Sequence, residues 1–217
     1  YFRSAGVQVV CQRLAEYKRA GGFAFAAIAM AIAGGIVPDV LKFLTGVDRR
    51  LTLHRAGNLL FNTGLYAVSG TFSDAYYRTL NFFFRDTASI STVVAKVVVD
   101  QFVYTPMIGM TLIAVAYTWR EHRFHPLATI RSFGVAWYIS RVATLLVPCW
   151  AFWIPMTCLL YTLPASLNFV FATVAAAAAA TVLLAVAERK IDRPPAPTHV
   201  ATMPPPANLQ AQSSPVY

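Results

Sequence analysis

Apolar and polar positions fall in long blocks along the chain, with little short-range alternation. Apolar runs occupy residues 23–37, 93–117, 133–152 and 165–187, separated by short charged stretches. A bilayer core takes about 20 residues of helix, so blocks of this length predict membrane-crossing helices. The first span is expected over residues 23–44, rich in Ala and Gly, with Gly34 and Gly35 adjacent. A second, more polar helix is expected over residues 56–77, with Asn58, Asn62, Ser69 and Ser73. Its Gly57, Gly64 and Gly70 recur at spacings of seven and six, close to two helical turns. That predicts a narrow face for tight helix packing at Gly34, Gly35, Gly64 and Gly70, because small residues let backbones approach. The third span, residues 91–119, is rich in Val and carries Pro106 near its middle. Beyond residues 120–131, read as a loop, an apolar region runs to Ala187 with Pro148, Pro155 and Pro164 inside it. It holds either two spans or one span preceded by a broken helix. Kinks are expected at Pro106, Pro155 and Pro164, where proline removes a backbone donor and neighbouring groups must satisfy the freed carbonyl.

The flanks read differently. Residues 1–22 place Arg3, Arg13, Glu16, Lys18 and Arg19 among Val9, Val10, Leu14 and Tyr17, the pattern of an amphipathic helix lying at a membrane surface. The sequence opens at Tyr1 without Met, which fits a trimmed or processed start, and shows no cleavable signal pattern there. From Glu188 the composition turns to Pro, Ala, Ser, Thr and Gln, which predicts a disordered tail. The expected organisation is an amphipathic segment over residues 1–22, a transmembrane helical domain over 23–187 and a Pro-rich tail over 188–217. The fold class is all-α, a polytopic membrane helix bundle of four to five transmembrane helices.

Composition strengthens this picture. The chain is 57% apolar and 12% charged, against about 45–50% and about 25% for a soluble domain. Its formal net charge of +9 raises the question of nucleic acid. Most Lys and Arg, however, sit in connections and tails, where they serve as headgroup anchors. Nucleic acid is not an expected partner, because the aromatics lie in or beside apolar blocks and not among the basic residues. Their distribution favours neither orientation, since an even and an odd span count bias it oppositely. Cys11, Cys149 and Cys158 have no metal or redox spacing.

Five charges lie within or at the ends of predicted spans: Asp39, Lys42, Lys96, Asp100 and Arg141. An unpaired charge at the bilayer centre costs roughly 2.5 kcal/mol or more, so each needs a partner. Lys96 and Asp100 are four apart, and Asp39 and Lys42 three apart, so each pair shares a helix face. Arg141 has no acidic neighbour in its own segment, which directs it to Asp100 or Asp39 across the bundle. Two readings follow: internal ion pairs that fix helix register, or a polar path lined by Lys96, Asp100, Gln101 and Arg141. His122 and His125 beside Glu121 share their loop with Arg120 and Arg123, whose charge repels a cation, so they read as loop histidines near headgroups. No catalytic residue, cofactor or metal is expected.

The order of features also resembles the Mpv-seventeen or twenty-two-kilodalton peroxisomal membrane protein family. The run Lys96-x-x-x-Asp100-Gln101-x-x-x-x-Pro106 has the spacing of that family's third helix. Gly34, Gly35 and Asp39 resemble its glycine and aspartate element, and Asp48, Arg49 and Arg55 its basic loop. Gly64, Gly70, Tyr76, Tyr77 and Leu80 follow the family pattern, as do Trp150, Trp153, Pro155, Tyr161 and Pro164. Met156, Thr157, Cys158 and Leu159 stand where the family carries glutamine and asparagine, and Asn168 near where it has a basic residue.

The resemblance covers roughly residues 25–185. It implies about four spans, channel-like permeation of small solutes and a mitochondrial inner or peroxisomal membrane. In a bacterium the bacterial inner membrane is expected. The leading expectation is a channel-like protein, not an enzyme, with Asp39, Lys96, Asp100, Gln101 and Arg141 as its polar core. The alternative is a non-catalytic structural subunit of a larger membrane complex. Expected partners are the lipid bilayer and either further copies of this chain or subunits of such a complex.

Overall fold

The structure, a computed structural model, describes residues 5–46, 52–84 and 89–191. Every regular element among them is helical. Helix α1 (Ala5–Met30) continues through a π-helical stretch, Ala31–Ile36, into α2 (Val37–Thr45). Its helical geometry breaks at Gly22, with φ 51° and ψ −128°. The α2 end is closed by Gly46 in the left-handed conformation, φ 88°, a C-cap suited to glycine. Helix α3 (Leu53–Phe84) is 32 residues long. Helix α4 (Ile90–Val99) starts at Ser89, whose hydroxyl accepts from the Thr92 backbone N–H at 3.3 Å. A π-helical stretch, Asp100–Gly109, joins α4 to α5 (Met110–Glu121). A turn then leads to α6 (Pro126–Ser132) and α7 (Val135–Tyr138). The π-helical stretch Ile139–Ala143 connects α7 to α8 (Thr144–Leu160), and α9 spans Ala165–Ile191.

Three helices are long and apolar enough to cross a membrane among the described residues: Gln12–Thr45, Ile90–Glu121 and Val135–Leu160. In their most apolar windows only 22%, 22% and 17% of residues are buried inside the protein. The apolar side chains therefore point outward, as with Val94, Phe102, Met107 and Val147. Helix α3 has the length but carries Arg55, Asp74 and Arg78.

Several boundaries depart from the sequence expectation. The break at Gly22 stands beside the expected start of the first span at Phe23, but the segment before it packs on the bundle through buried Ala15 and a Lys18–Asp74 ion pair to α3. A segment with a partner of that kind is held against protein and does not simply float at an interface. Helix α3 overshoots residues 56–77 at both ends. Part of the 120–131 loop is α6, with Pro126 at the first helical turn, where its missing N–H costs nothing. The last apolar region resolves into two helices, α7–α8 and α9, with Pro164 in the turn between them. It stands immediately before the first residue of α9 and kinks no helix. Pro155 lies inside α8, which continues across it. Helix α9 runs to Ile191, past the expected boundary at Glu188. The rest of the expected tail, and Asp48, Arg49 and Arg50 of the basic loop, lie outside the described residues.

The helices meet at small residues. A Cβ on Gly70 would stand 2.5 Å from the Ala26 carbonyl oxygen and 2.6 Å from Met30 Cβ, so α1 and α3 touch there. A Cβ on Gly35 would lie 2.7 Å from Thr63 Cα, and one on Gly34 would overlap the Tyr66 ring. Gly64 is a correction: it is exposed, and nothing lies within 4 Å of its Cβ position. At 3.6 residues per turn, the six-residue step from Gly64 to Gly70 rotates by about 120° away from that face. Gly57 and Gly64, seven apart, share the open side. Deeper in, Leu80, Val97, Leu160, Tyr161 and Ala172 bring α3, α4, α8 and α9 into one core.

Candidate functional site

The polar interior forms where α4 passes into the Asp100–Gly109 stretch. Lys96, Asp100 and Gln101 are buried there, at 2%, 4% and 2% exposure. Lys96 and Asp100 share a helix face, yet no ion pair joins them among the described residues. Each finds a partner on a neighbouring element. Lys96 Nζ donates to Asn81 Oδ1 of α3 at 3.0 Å. Asp100 Oδ2 accepts from the Tyr161 hydroxyl at 2.5 Å, just beyond the end of α8. Tyr161 also presents its ring to Lys96, with Nζ 5.8 Å from the centroid. One tyrosine thus stands between cation and carboxylate, offering each the part of itself that suits its charge.

Further tyrosines continue the cluster. Tyr76 stacks on Tyr104 with centroids 3.9 Å apart, and Tyr77 meets Tyr161 edge-on at 6.3 Å. The Tyr104 hydroxyl shares a hydrogen bond with Ser73 at 3.2 Å. Gln101 Oε1 and the Tyr76 hydroxyl are buried with no hydrogen-bond partner among the described residues.

Pro106 explains how the backbone is satisfied. A π-helix bonds i to i+5, so the N–H that proline lacks would have served the carbonyl of Gln101. That oxygen accepts instead from Trp150 Nε1 at 2.8 Å. The Pro106 carbonyl in turn accepts from Thr111 Oγ1 at 2.7 Å and the Tyr138 hydroxyl at 3.1 Å. Side chains from α7 and α8 therefore supply two of the bonds that hold the wide turn.

The other expected pairings are also redrawn. Asp39 does not pair with Lys42, which is exposed. Arg55 of α3 grips Asp39 instead, through Nη2 to Oδ2 at 2.8 Å and Nε to both carboxylate oxygens at 3.3 Å. Arg55 Nη2 also donates to the Asp39 backbone carbonyl at 3.0 Å. Fork geometry makes guanidinium the better match for a carboxylate than an ammonium three residues away. Arg141 reaches neither Asp100 nor Asp39. Its guanidinium makes two 2.7 Å bonds to the oxygens of Glu121 at the end of α5, on an exposed face. Arg141 is thus away from the Lys96, Asp100 and Gln101 cluster.

Two residues escaped the sequence reading. Asp74 is fully buried and pairs with both Lys18 of α1 and, at 2.9 Å, Arg78 one turn on. Its signal was available: an acid four before a base within an otherwise uncharged helical stretch. Tyr161 had a place in the family pattern but no chemical role, and no periodicity announces a hydroxyl that crosses to another helix. Comparison of the chain with family models, curated proteins and solved structures returns no match.

Proposed function

We propose that the chain is an integral membrane protein of four to five membrane-crossing helices that passes small solutes or ions through its polar interior. The observation that carries this reading is the pair of buried groups beside Asp100 that lack a hydrogen-bond partner among the described residues: Gln101 Oε1 and the Tyr76 hydroxyl. Leaving such a group unsatisfied costs about 1–3 kcal/mol. Hydrated cargo or water would meet both. An ionisable residue at membrane depth is itself a marker of a solute or proton pathway. The outward apolar faces of Gln12–Thr45, Ile90–Glu121 and Val135–Leu160 support membrane insertion, and α3 and α9 supply the fourth and fifth helices. The resemblance around Lys96, Asp100, Gln101 and Pro106 extends the proposal to a mitochondrial inner or peroxisomal membrane, or to the inner membrane of a bacterium. No catalytic role is proposed.

A structural subunit of a larger membrane complex is the second reading. The ion pairs Asp39–Arg55, Asp74–Lys18 and Glu121–Arg141 each join different helices and favour it. Conductance of purified protein in planar bilayers separates the two. Discrete openings that vanish in Gln101→Leu, with melting temperature unchanged or raised, are the expected result. A silent wild type that retains stoichiometric partners on purification would overturn permeation in favour of the subunit.

A further inference from the structure

At one end of the bundle, α2, the first turns of α3 and the last turn of α5 enclose a cavity of ≈ 240 Å³. Its charged lining is Asp39, Lys42, Arg55 and Arg120, three cations against one carboxylate. The carboxylate is already occupied, since Arg55 holds both of its oxygens. Lys42 and Arg120 remain without a carboxylate among the described residues.

The neutral groups have the same bias. Asn58 Oδ1 accepts from Arg120 Nη2, and Asn62 Oδ1 accepts from the Tyr117 hydroxyl at 2.9 Å. Both amide oxygens are thus taken by donors of the protein. The Nδ2 groups of Asn58 and Asn62 have no acceptor among the described residues, so the hydrogen-bonding capacity left on these amides is donor capacity. Arg120 is fixed in this wall by the Phe61 ring, 4.8 Å from its guanidinium carbon. Two amides, an ammonium and a guanidinium lining one cavity suit a ligand rich in acceptor oxygens and negative charge. A phosphate monoester carries about −1.5 to −2 charges and three acceptor oxygens, which matches the excess of two cations over acid. Water takes about 30 Å³ a molecule, so the space holds a phosphate group with part of its hydration.

We propose that this cavity binds a phosphate group, held by Lys42, Arg120, Asn58 and Asn62, with the Asp39–Arg55 pair fixing the helix ends that carry them. The group belongs either to a soluble phosphorylated solute or to a phospholipid headgroup. The proposal does not depend on permeation, because binding is measurable in detergent.

The test is calorimetric titration of inorganic phosphate into the delipidated full-length protein, at ionic strength held constant with chloride. Saturable 1:1 binding is expected, weakened at least tenfold in Lys42→Gln and in Arg120→Gln. Lys42 is exposed and has no described partner, so Lys42→Gln tests the site without disturbing the fold. A melting curve confirms that Arg120→Gln is folded. Absence of saturable binding, or binding indifferent to the Lys42→Gln change, would overturn the site. Repeating the titration in nanodiscs containing phosphatidic acid assigns the source. Competition by the lipid identifies a headgroup site, and undiminished phosphate binding identifies a soluble ligand.

Discussion

Two buried aspartates, Asp74 on α3 and Asp100 at the start of the π-helical stretch, solve the same problem in opposite ways. Asp74 has two cations, Lys18 and Arg78, and each cation also lies against an aromatic ring, Phe169 and Phe23 respectively. Asp100 has a tyrosine hydroxyl and, among the described residues, no ion pair. The first arrangement is closed. Its carboxylate is met by Lys18 across the α1–α3 seam and by Arg78 one turn along α3, and at the same seam Gly70 lets the backbones touch. The second is open: beside it, Gln101 Oε1 and the Tyr76 hydroxyl lack hydrogen-bond partners among the described residues. The contrast separates a carboxylate held by two cations from one held by a neutral hydroxyl.

The contrast breaks most sharply at Asp74. Asp74→Ala leaves Lys18, whose side chain is 13% exposed, without its carboxylate, and unpairing a buried charge costs up to about 3–5 kcal/mol. A large fall in melting temperature in detergent is expected, with a smaller one for Asp74→Asn. At Asp100 the loss is that of one charge-assisted hydrogen bond. A double-mutant cycle of Asp100→Asn with Tyr161→Phe should report coupling of about 1.5–3 kcal/mol. The same cycle with Lys96→Met should report clearly less, and equal coupling in the two cycles would restore the direct Lys96–Asp100 pair. On the seam, Gly70→Ala forces a methyl against the Ala26 carbonyl and should cost about 1–3 kcal/mol. Gly64→Ala should be neutral or slightly stabilising, since its Cβ meets nothing and alanine is the better helix former. The smallest effect is expected at Arg141 and Glu121, whose side chains are 46% and 50% exposed. Arg141→Gln should change stability by less than about 1 kcal/mol, measured by thermal unfolding at two salt concentrations.

What the chain reveals in one dimension follows from which forces are local. Helix positions were legible because apolar run length and proline placement act on neighbouring residues. The burial of Lys96, Asp100 and Gln101 was legible too, because polar side chains set in an apolar block turn away from lipid and into the bundle. Partners were not. Asp39 chose Arg55 over Lys42, Asp100 chose Tyr161 over Lys96, and Arg141 chose Glu121, each by a geometry set when helices dock. The glycines show the same limit: Gly64 and Gly70 look equivalent by spacing, and only the accumulated rotation of α3 separates the one facing Met30 from the one facing outward.

Gly22 carries a consequence that is best put in terms of handedness. A Cβ there would meet only Arg78 Nη2, at 3.8 Å, so space does not exclude a side chain. The backbone does: φ 51° with ψ −128° is the mirror image of an ordinary extended conformation. An L-residue at this joint would be strained, by an amount of order 1–3 kcal/mol, whereas a D-residue would rest in a comfortable basin. In a chain made by chemical ligation, D-Ala at position 22 should therefore stiffen the joint and raise stability, and L-Ala should lower it. Between the charged beginning of α1 and the apolar rod that follows, the ribosome's only achiral amino acid stands where stereochemistry would prefer the other hand.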